Sequence, residues 1–231
     1  VALRDEKRWN FIMDRLPVYL DTHGLAKYFP TAVRGSVELT AYILSIGHEA
    51  GWPIPDSSRE RLMSGLSRFL DGKIGLSSIY GARDLDAYKL LAMEALTRYR
   101  VPVGDWLQTM AINPNLWPTS ALVDWREILK RQPNLPDHNR RAAEVDKILG
   151  ARLDFRGTAM GFTTEQDDFR WWLMACGDAN VNRMILSVLD SPAWKADMPR
   201  LIRGSLHRQK AGRWTTTFAS AWGVLALEKF S

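Results

Sequence analysis

The chain has 231 residues, 46% hydrophobic and 25% charged, with 31 basic side chains against 26 acidic ones for a formal charge of +5. That balance excludes a disordered or collagen-like chain, and the length suffices for one large domain with a substantial core, read here as residues 1–231. The best apolar stretch, Arg170 to Leu189, is broken by Asp178, Asn180, Asn182 and Arg183, so it falls short of the roughly 18 residues that a membrane span needs.

In chain order, Trp9, Ile12, Met13 and Leu16 recur at helical spacing over Arg4 to Leu16, and Pro17 ends the run. Val37 to Ala50 repeats the pattern through Leu39, Tyr42, Ile43, Ile46 and Ala50. Asp56-Ser57-Ser58 is a capping sequence for a helix whose apolar face is Leu62, Leu66, Phe69 and Leu70. Asp84 is expected to cap Leu85 to Tyr99, Thr119-Ser120 to open Ala121 to Arg131, and Asp137 to cap His138 to Leu149. Only Arg152 to Phe162 alternates with period two, and Arg156-Gly157-Thr158 predicts the turn of a small β-hairpin. Helices are then expected over Glu165 to Gly177, Asn180 to Leu189, Met198 to Gln209 and Thr216 to Phe230. About ten helices and one hairpin make the class all-α.

Three helices share one grammar. Glu38-Leu-Thr-Ala-Tyr42, Asp84-Leu-Asp-Ala-Tyr88 and Phe218-Ala-Ser-Ala-Trp222 each place a small residue before an aromatic one, with aliphatics following. Tyr42 and Tyr88 are 46 residues apart, Tyr88 and Trp222 close to three times that, and a weaker copy ends at Trp172. A period of that size with two helices per unit marks a helical-hairpin repeat, whose hairpins must stack to bury their faces. The pattern predicts an α/α toroid of inner and outer rings or a curved solenoid, with a generic helical array as the alternative.

The search for chemistry returns little. His23, His48, His138 and His207 are scattered, and only His48-Glu49 joins a histidine to an acid in a helix. His48 reads either as a ligand or base, or as a helix-end side chain bonded to the adjacent loop. Cys176, the sole cysteine, excludes an internal disulfide and a cysteine-rich zinc site; beside Trp172 and Leu173 it reads as a buried, inert thiol. The paired acids, Glu165 with Asp167 and Asp168, and Asp84 with Asp86, stand at expected helix starts, where they suit the dipole; glycosidase work is the other reading. No phosphate loop, nucleophile elbow or Cys-x-x-Cys occurs. Trp9, Trp171, Trp172, Trp194 and Trp222 read as core. The basic clusters, Arg140-Arg141 and Arg200/Arg203/Arg208/Lys210, are too sparse for a nucleic-acid stripe. No enzyme, metal or cofactor is expected.

Two blocks carry a family resemblance. Gly24-Leu-Ala-Lys-Tyr28-Phe-Pro30, Leu39-Thr-Ala-Tyr-Ile-Leu44 and His48-Glu-Ala-Gly51 lie near one end; Leu201-Ile-Arg-Gly204, Arg213-Trp-Thr-Thr-Thr217 and Ala221-Trp-Gly-Val-Leu-Ala-Leu227 lie near the other. In this order they resemble the thioester-domain region of bacterial alpha-2-macroglobulins. The resemblance implies an α/α-toroid segment of a large, multi-domain periplasmic protein, membrane-anchored outside this segment, that traps or inhibits proteases. Its partners would be target proteases and flanking macroglobulin domains, with no nucleic acid. That family's thioester forms from Cys-x-Glu-Gln; here Thr163 stands two before Glu165-Gln166, so this stretch cannot form it. In the family order the motif belongs upstream of Gly24, and the opening Val1-Ala2-Leu3-Arg4, with no Met or signal peptide, reads as a segment of a longer chain. Tyr28, Tyr42, His48 and Trp222 are the candidate lining of a thioester pocket. A helical-repeat binding module, or a toroid enzyme acting on sugars or isoprenoids, are the alternatives.

Overall fold

The computed structural model describes residues 6–76, 84–162 and 170–231. Ten α-helices and one two-stranded antiparallel sheet occur among them, so the class is all-α with a single hairpin, as the periodicities predict. The chain divides into two compact units, Val1–Thr109 and Met110–Ser231.

In the first unit, α1 (Glu6–Arg15) gives way at Pro17 to a 3-10 turn, Leu16–Tyr19. The segment after it folds back through isolated bridges from Ala26 to Leu20 and to Ser36. Asp21 organises this loop: one carboxylate oxygen accepts the His23 and Leu25 N–H groups at 2.9 Å, and the other accepts Gly35 N–H at 2.8 Å. α2 (Val37–Ala50) starts where the Ser36 hydroxyl accepts Leu39 N–H and stops at Gly51, whose φ of +67° costs a glycine nothing. α3 (Asp56–Leu70) begins at Asp56 itself, which pairs with Arg59 at 2.7 Å and caps nothing with its side chain. α4 (Leu85–Arg98) follows, then the short α5 (Gly104–Gln108), which no sequence periodicity announced. Asp84 precedes α4 without a side-chain cap bond.

α2, α3 and α4 pack on one another, α2 chiefly on α4. The two helices bearing the repeated grammar are therefore neighbours. Leu44, Leu62, Leu66, Leu90, Met93 and Leu96 are fully inaccessible at their centre, each worth about 1.5–3 kcal/mol of burial. Gly65 lets α3 meet the Asp21 loop, since a Cβ there would sit 2.9 Å from the Gly24 carbonyl carbon.

The second unit is built on α6 (Thr119–Arg131), α7 (His138–Ala151), the hairpin β1 (Leu153–Arg156) and β2 (Ala159–Phe162), α8 (Gly177–Val188), α9 (Met198–His207) and α10 (Thr217–Phe230). β1 and β2 form the hairpin the alternation predicts, and they pair Leu153 with Phe162 and Phe155 with Met160. β2 lies against α9 so closely that a Cβ on Gly204 would stand 1.9 Å from Met160 O. α6 packs on α7 and α8, and α8 packs on α10. Asn182 ties three helices together: its amide donates to Ala219 O of α10 at 3.0 Å and its oxygen accepts the Ser205 hydroxyl of α9 at 2.5 Å. Trp214 packs against Gly223, where a Cβ would meet the indole at 2.4 Å, and its N–H donates to Ser205 O at 3.0 Å.

Several expectations need correcting. Thr163 to Phe169, with the Glu165, Asp167 and Asp168 carboxylates, lie outside the described residues. The rest of the helix expected to reach Gly177 is a 3-10 turn, Trp171–Leu173, closed by an Arg170–Ala175 bridge; Met174 takes a left-handed φ of +50°, which an α-helix cannot contain. The weaker repeat at Trp172 is thus not a helix copy, and Trp171 is 58% exposed instead of core. Trp9 and Trp194 are only half-buried. Asp137 sits at φ +57° and reaches Arg140 instead of capping α7. By contrast Thr216 does cap, its hydroxyl accepting Ala219 N–H.

Candidate functional site

α2 positions three of the four residues singled out from the sequence. Tyr28, held in the loop before α2, meets the helix's first turn, its hydroxyl 3.5 Å from the Glu38 carboxylate. Partial burial and the Glu38 charge push the phenol up to about 12, and burial pushes the Glu38 carboxyl upward as well. Tyr42, midway along α2, is half-buried, and burial pushes it up to about 12 too. His48, in the last turn, is exposed and meets Tyr99 edge-on at 5.4 Å. From Glu38 to His48 the helix rises about 15 Å, so the three are spread along α2 and not gathered on one turn. Trp222 belongs to the second unit; it is buried, with the Arg183 guanidinium 5.5 Å from its ring.

A tighter cluster in the first unit lay outside the sequence reading. Glu94, with no exposed surface, accepts the Ser45 hydroxyl at 2.9 Å and Arg98 Nε–H at 2.8 Å; Arg98 also reaches Glu49 at 2.5 Å. Arg98 thus stands between two carboxylates on α4 and the end of α2. Glu94 and Arg98 are four apart on one helix face, a visible signal, but Ser45 and Glu49 come from elsewhere in the chain. The Tyr99 hydroxyl adds a bond to Leu44 O at 3.0 Å. This arrangement fixes α2 on α4 and leaves the arginine paired.

Two clefts lined by described residues lie in the second unit. One, of about 240 Å³, runs between α6, α7 and the end of α8, and His138, Ser187 and Asp146 all line it. They form no relay. His138 Nε2 lies 3.0 Å from Leu129 O, an acceptor, so that nitrogen carries the proton. Ser187 Oγ donates to Glu127 at 2.5 Å, and Asp146 accepts Arg126 Nε–H at 2.6 Å. Arg126 also donates to the Ser187 hydroxyl at 2.9 Å, Glu127 is paired in turn with Arg131 at 2.5 Å, and among the described residues no histidine bonds that hydroxyl. The other cleft, of about 360 Å³, lies over the turn before α10, lined by Lys210, Arg213 and Thr215–Thr217 among others. Asp178 supports it from α8: burial opposes its charge, but the Thr215 N–H and hydroxyl, at 2.9 and 2.7 Å, and Arg208 hold its carboxyl below the ordinary range. Cys176 is 3% exposed, with its sulfur 3.8 Å from the Thr216 hydroxyl, and burial pushes the thiol upward. It is an unreactive thiol on these grounds.

Among the described residues no three histidine, cysteine or acidic side chains are placed to hold a metal ion, and no helix is long and apolar enough to cross a membrane. The fold and these sites describe a helical scaffold whose buried charges are paired for support. Compared with solved structures, the chain is similar to the native conformation of alpha-2-macroglobulin from E. coli, at 18% identity and a TM-score of 0.68. The likeness covers 97% of this chain and 14% of that one, and it shows a shared fold. No family model matches the chain, and no curated protein does.

Proposed function

We propose that this chain is the thioester-domain-like segment of a bacterial alpha-2-macroglobulin: a non-catalytic helical toroid, residues 1–231, within a periplasmic protein that traps proteases. The observation that carries the reading is the shared fold along 97% of the chain, joined to the ordered motifs at both ends of the sequence. In this reading the segment supports the thioester, with Tyr28, Tyr42 and His48 of the first unit as candidate lining of its pocket, while Trp222 is buried within the second unit. Flanking macroglobulin domains and the attacking protease are its partners, and the periplasm its compartment.

The test starts with the parent reading frame upstream of Val1. The expected finding is a Cys-x-Glu-Gln motif, and the full protein should then incorporate methylamine at that glutamine. Incubated with a protease, it should protect a protein substrate while leaving cleavage of a short peptide intact, as enclosure demands. A parent without macroglobulin-like domains on either side, or one that protects neither substrate, would refute the proposal.

A further inference from the structure

The turn between α9 and α10 carries a charge arrangement that the packing of the second unit does not explain. Lys210 and Arg213 face each other across an isolated antiparallel bridge, Lys210 N–H donating to Arg213 O at 2.8 Å and Arg213 N–H to Lys210 O at 3.2 Å. Like charges directly opposed across a bridge destabilise it. The two residues between them sit at φ +51° (Ala211) and +75° (Gly212), and an alanine takes such a φ only at a cost. Both cationic side chains are exposed, and neither has an ion pair or hydrogen bond among the described residues. Other arginines of the unit are committed to carboxylates: Arg183 to Asp124, Arg200 to Asp197, Arg208 to Asp178.

These two cations border the 360 Å³ cleft, whose hydroxyls divide into two kinds. That of Thr215 donates to Asp178, and that of Thr216 accepts Ala219 N–H. Those of Thr217 and Ser220 have no partner among the described residues. Asp178, the carboxylate bonded to this segment, is 2% exposed and already committed to Arg208 and Thr215. It leaves the Lys210 and Arg213 charges uncompensated.

We propose that this cleft binds an oxyanion of the phosphate or sulfate class, held by Lys210 and Arg213 with the Thr217 and Ser220 hydroxyls as further donors. A guanidinium presents two parallel N–H groups to such an anion and an ammonium supplies a point charge. Four separate donor groups outnumber the two oxygens of a carboxylate and suit the three or four of a tetrahedral anion. The cleft is an order of magnitude larger than the ~30 Å³ of one liquid water, room for an anion together with a group that carries it. The site is independent of the protease-trapping reading and stands or falls without it.

The experiment titrates the 231-residue protein with sodium phosphate, and separately with glycerol 1-phosphate, following backbone amide resonances against sodium chloride at equal ionic strength. Both phosphates should produce saturable shifts centred on residues 210–220, and chloride should not. K210A/R213A alters only exposed side chains and should weaken binding at least about tenfold, since hydrogen bonds to charged groups carry that much discrimination. Lys195→Ala, a change at another exposed lysine, should bind as the parent does. Tighter binding of the ester identifies a carried phosphate as the ligand, and tighter binding of the inorganic ion identifies the free anion; either supports the site. Equal shifts with chloride, or undiminished binding by a K210A/R213A protein whose spectrum is otherwise intact, overturn it.

Discussion

Gly204→Ala and Gly150→Ala make the same chemical change in two helices of the second unit and should move stability in opposite directions. A methyl group on an exposed helical glycine gains up to about 1 kcal/mol, because alanine loses less backbone entropy on folding. Gly150 lies near the end of α7 with no heavy atom within 4 Å of an added Cβ, so about 0.5 kcal/mol of gain is expected. At Gly204 the added Cβ would stand 1.9 Å from Met160 O and 2.8 Å from the Met160 carbonyl carbon. These are backbone atoms of β2, which cannot rotate away, so α9 and β2 must separate by more than an ångström. Overpacking of that kind costs about 1–3 kcal/mol and more where backbone must move. With a backbone clash at the upper end of that range, offset by the propensity gain, a net loss of about 2 kcal/mol is expected. Urea denaturation of the two variants, followed by far-ultraviolet dichroism, reads the difference as opposite shifts of the midpoint at unchanged slope. A Gly204→Ala protein within 0.5 kcal/mol of the parent would refute the claim that α9 and β2 touch through this glycine.

Other positions give further expectations. Glu94→Ala removes a carboxylate from a fully buried cluster and leaves the Arg98 guanidinium, 4% exposed, with one fewer acceptor; a loss of about 3–5 kcal/mol in the same denaturation assay is expected. Arg140→Ala breaks an ion pair exposed on both sides and should leave the midpoint unmoved. Asp21→Asn keeps the acceptor for His23 and Leu25 but turns an amide N–H toward Gly35 N–H, at a cost of about 1–3 kcal/mol. Tyr28 and Tyr42 titrate near 12 when folded and near their ordinary 10 when unfolded. Their neutral forms therefore support the fold fully below pH 10, and that support is lost as pH rises from 10 through 12. Y28F/Y42F should flatten this alkaline decline; an unchanged decline, measured as midpoint against pH, would refute the assignment.

Helical periodicity alone located most of this fold. α2 runs over the residues its apolar spacing picks out, and the hairpin forms within the stretch its alternation marks. Helix ends were harder to read, because a capping residue type does not establish a capping bond. Ser36 and Thr216 cap through their hydroxyls, whereas Asp84 and Asp137, equally suited by chemistry, do not. Trp171 and Trp172 suit an amphipathic helix, but the left-handed turn at Met174 interrupts the segment, and local spacing carries no trace of it. The buried charges were partly visible as the Glu94 and Arg98 spacing; Ser45, 49 residues away in sequence, joins them only through the packing of α2 on α4. The basic cleft was hidden for the same reason. Its charges look sparse in sequence, and only the tight bridge brings Lys210 and Arg213 face to face.

The sealed position of Cys176 gives the molecule a built-in clock. Its sulfur lies 3.8 Å from the Thr216 hydroxyl where α8 begins, and these 231 residues contain no second cysteine. A thiol reagent added in excess can reach it only during excursions in which that corner comes apart. Once reagent is saturating, the alkylation rate therefore counts openings of the second unit per unit time, with no label to engineer. Occupancy of the neighbouring cleft, or docking of a larger partner over α10, would register as a slowing of that count.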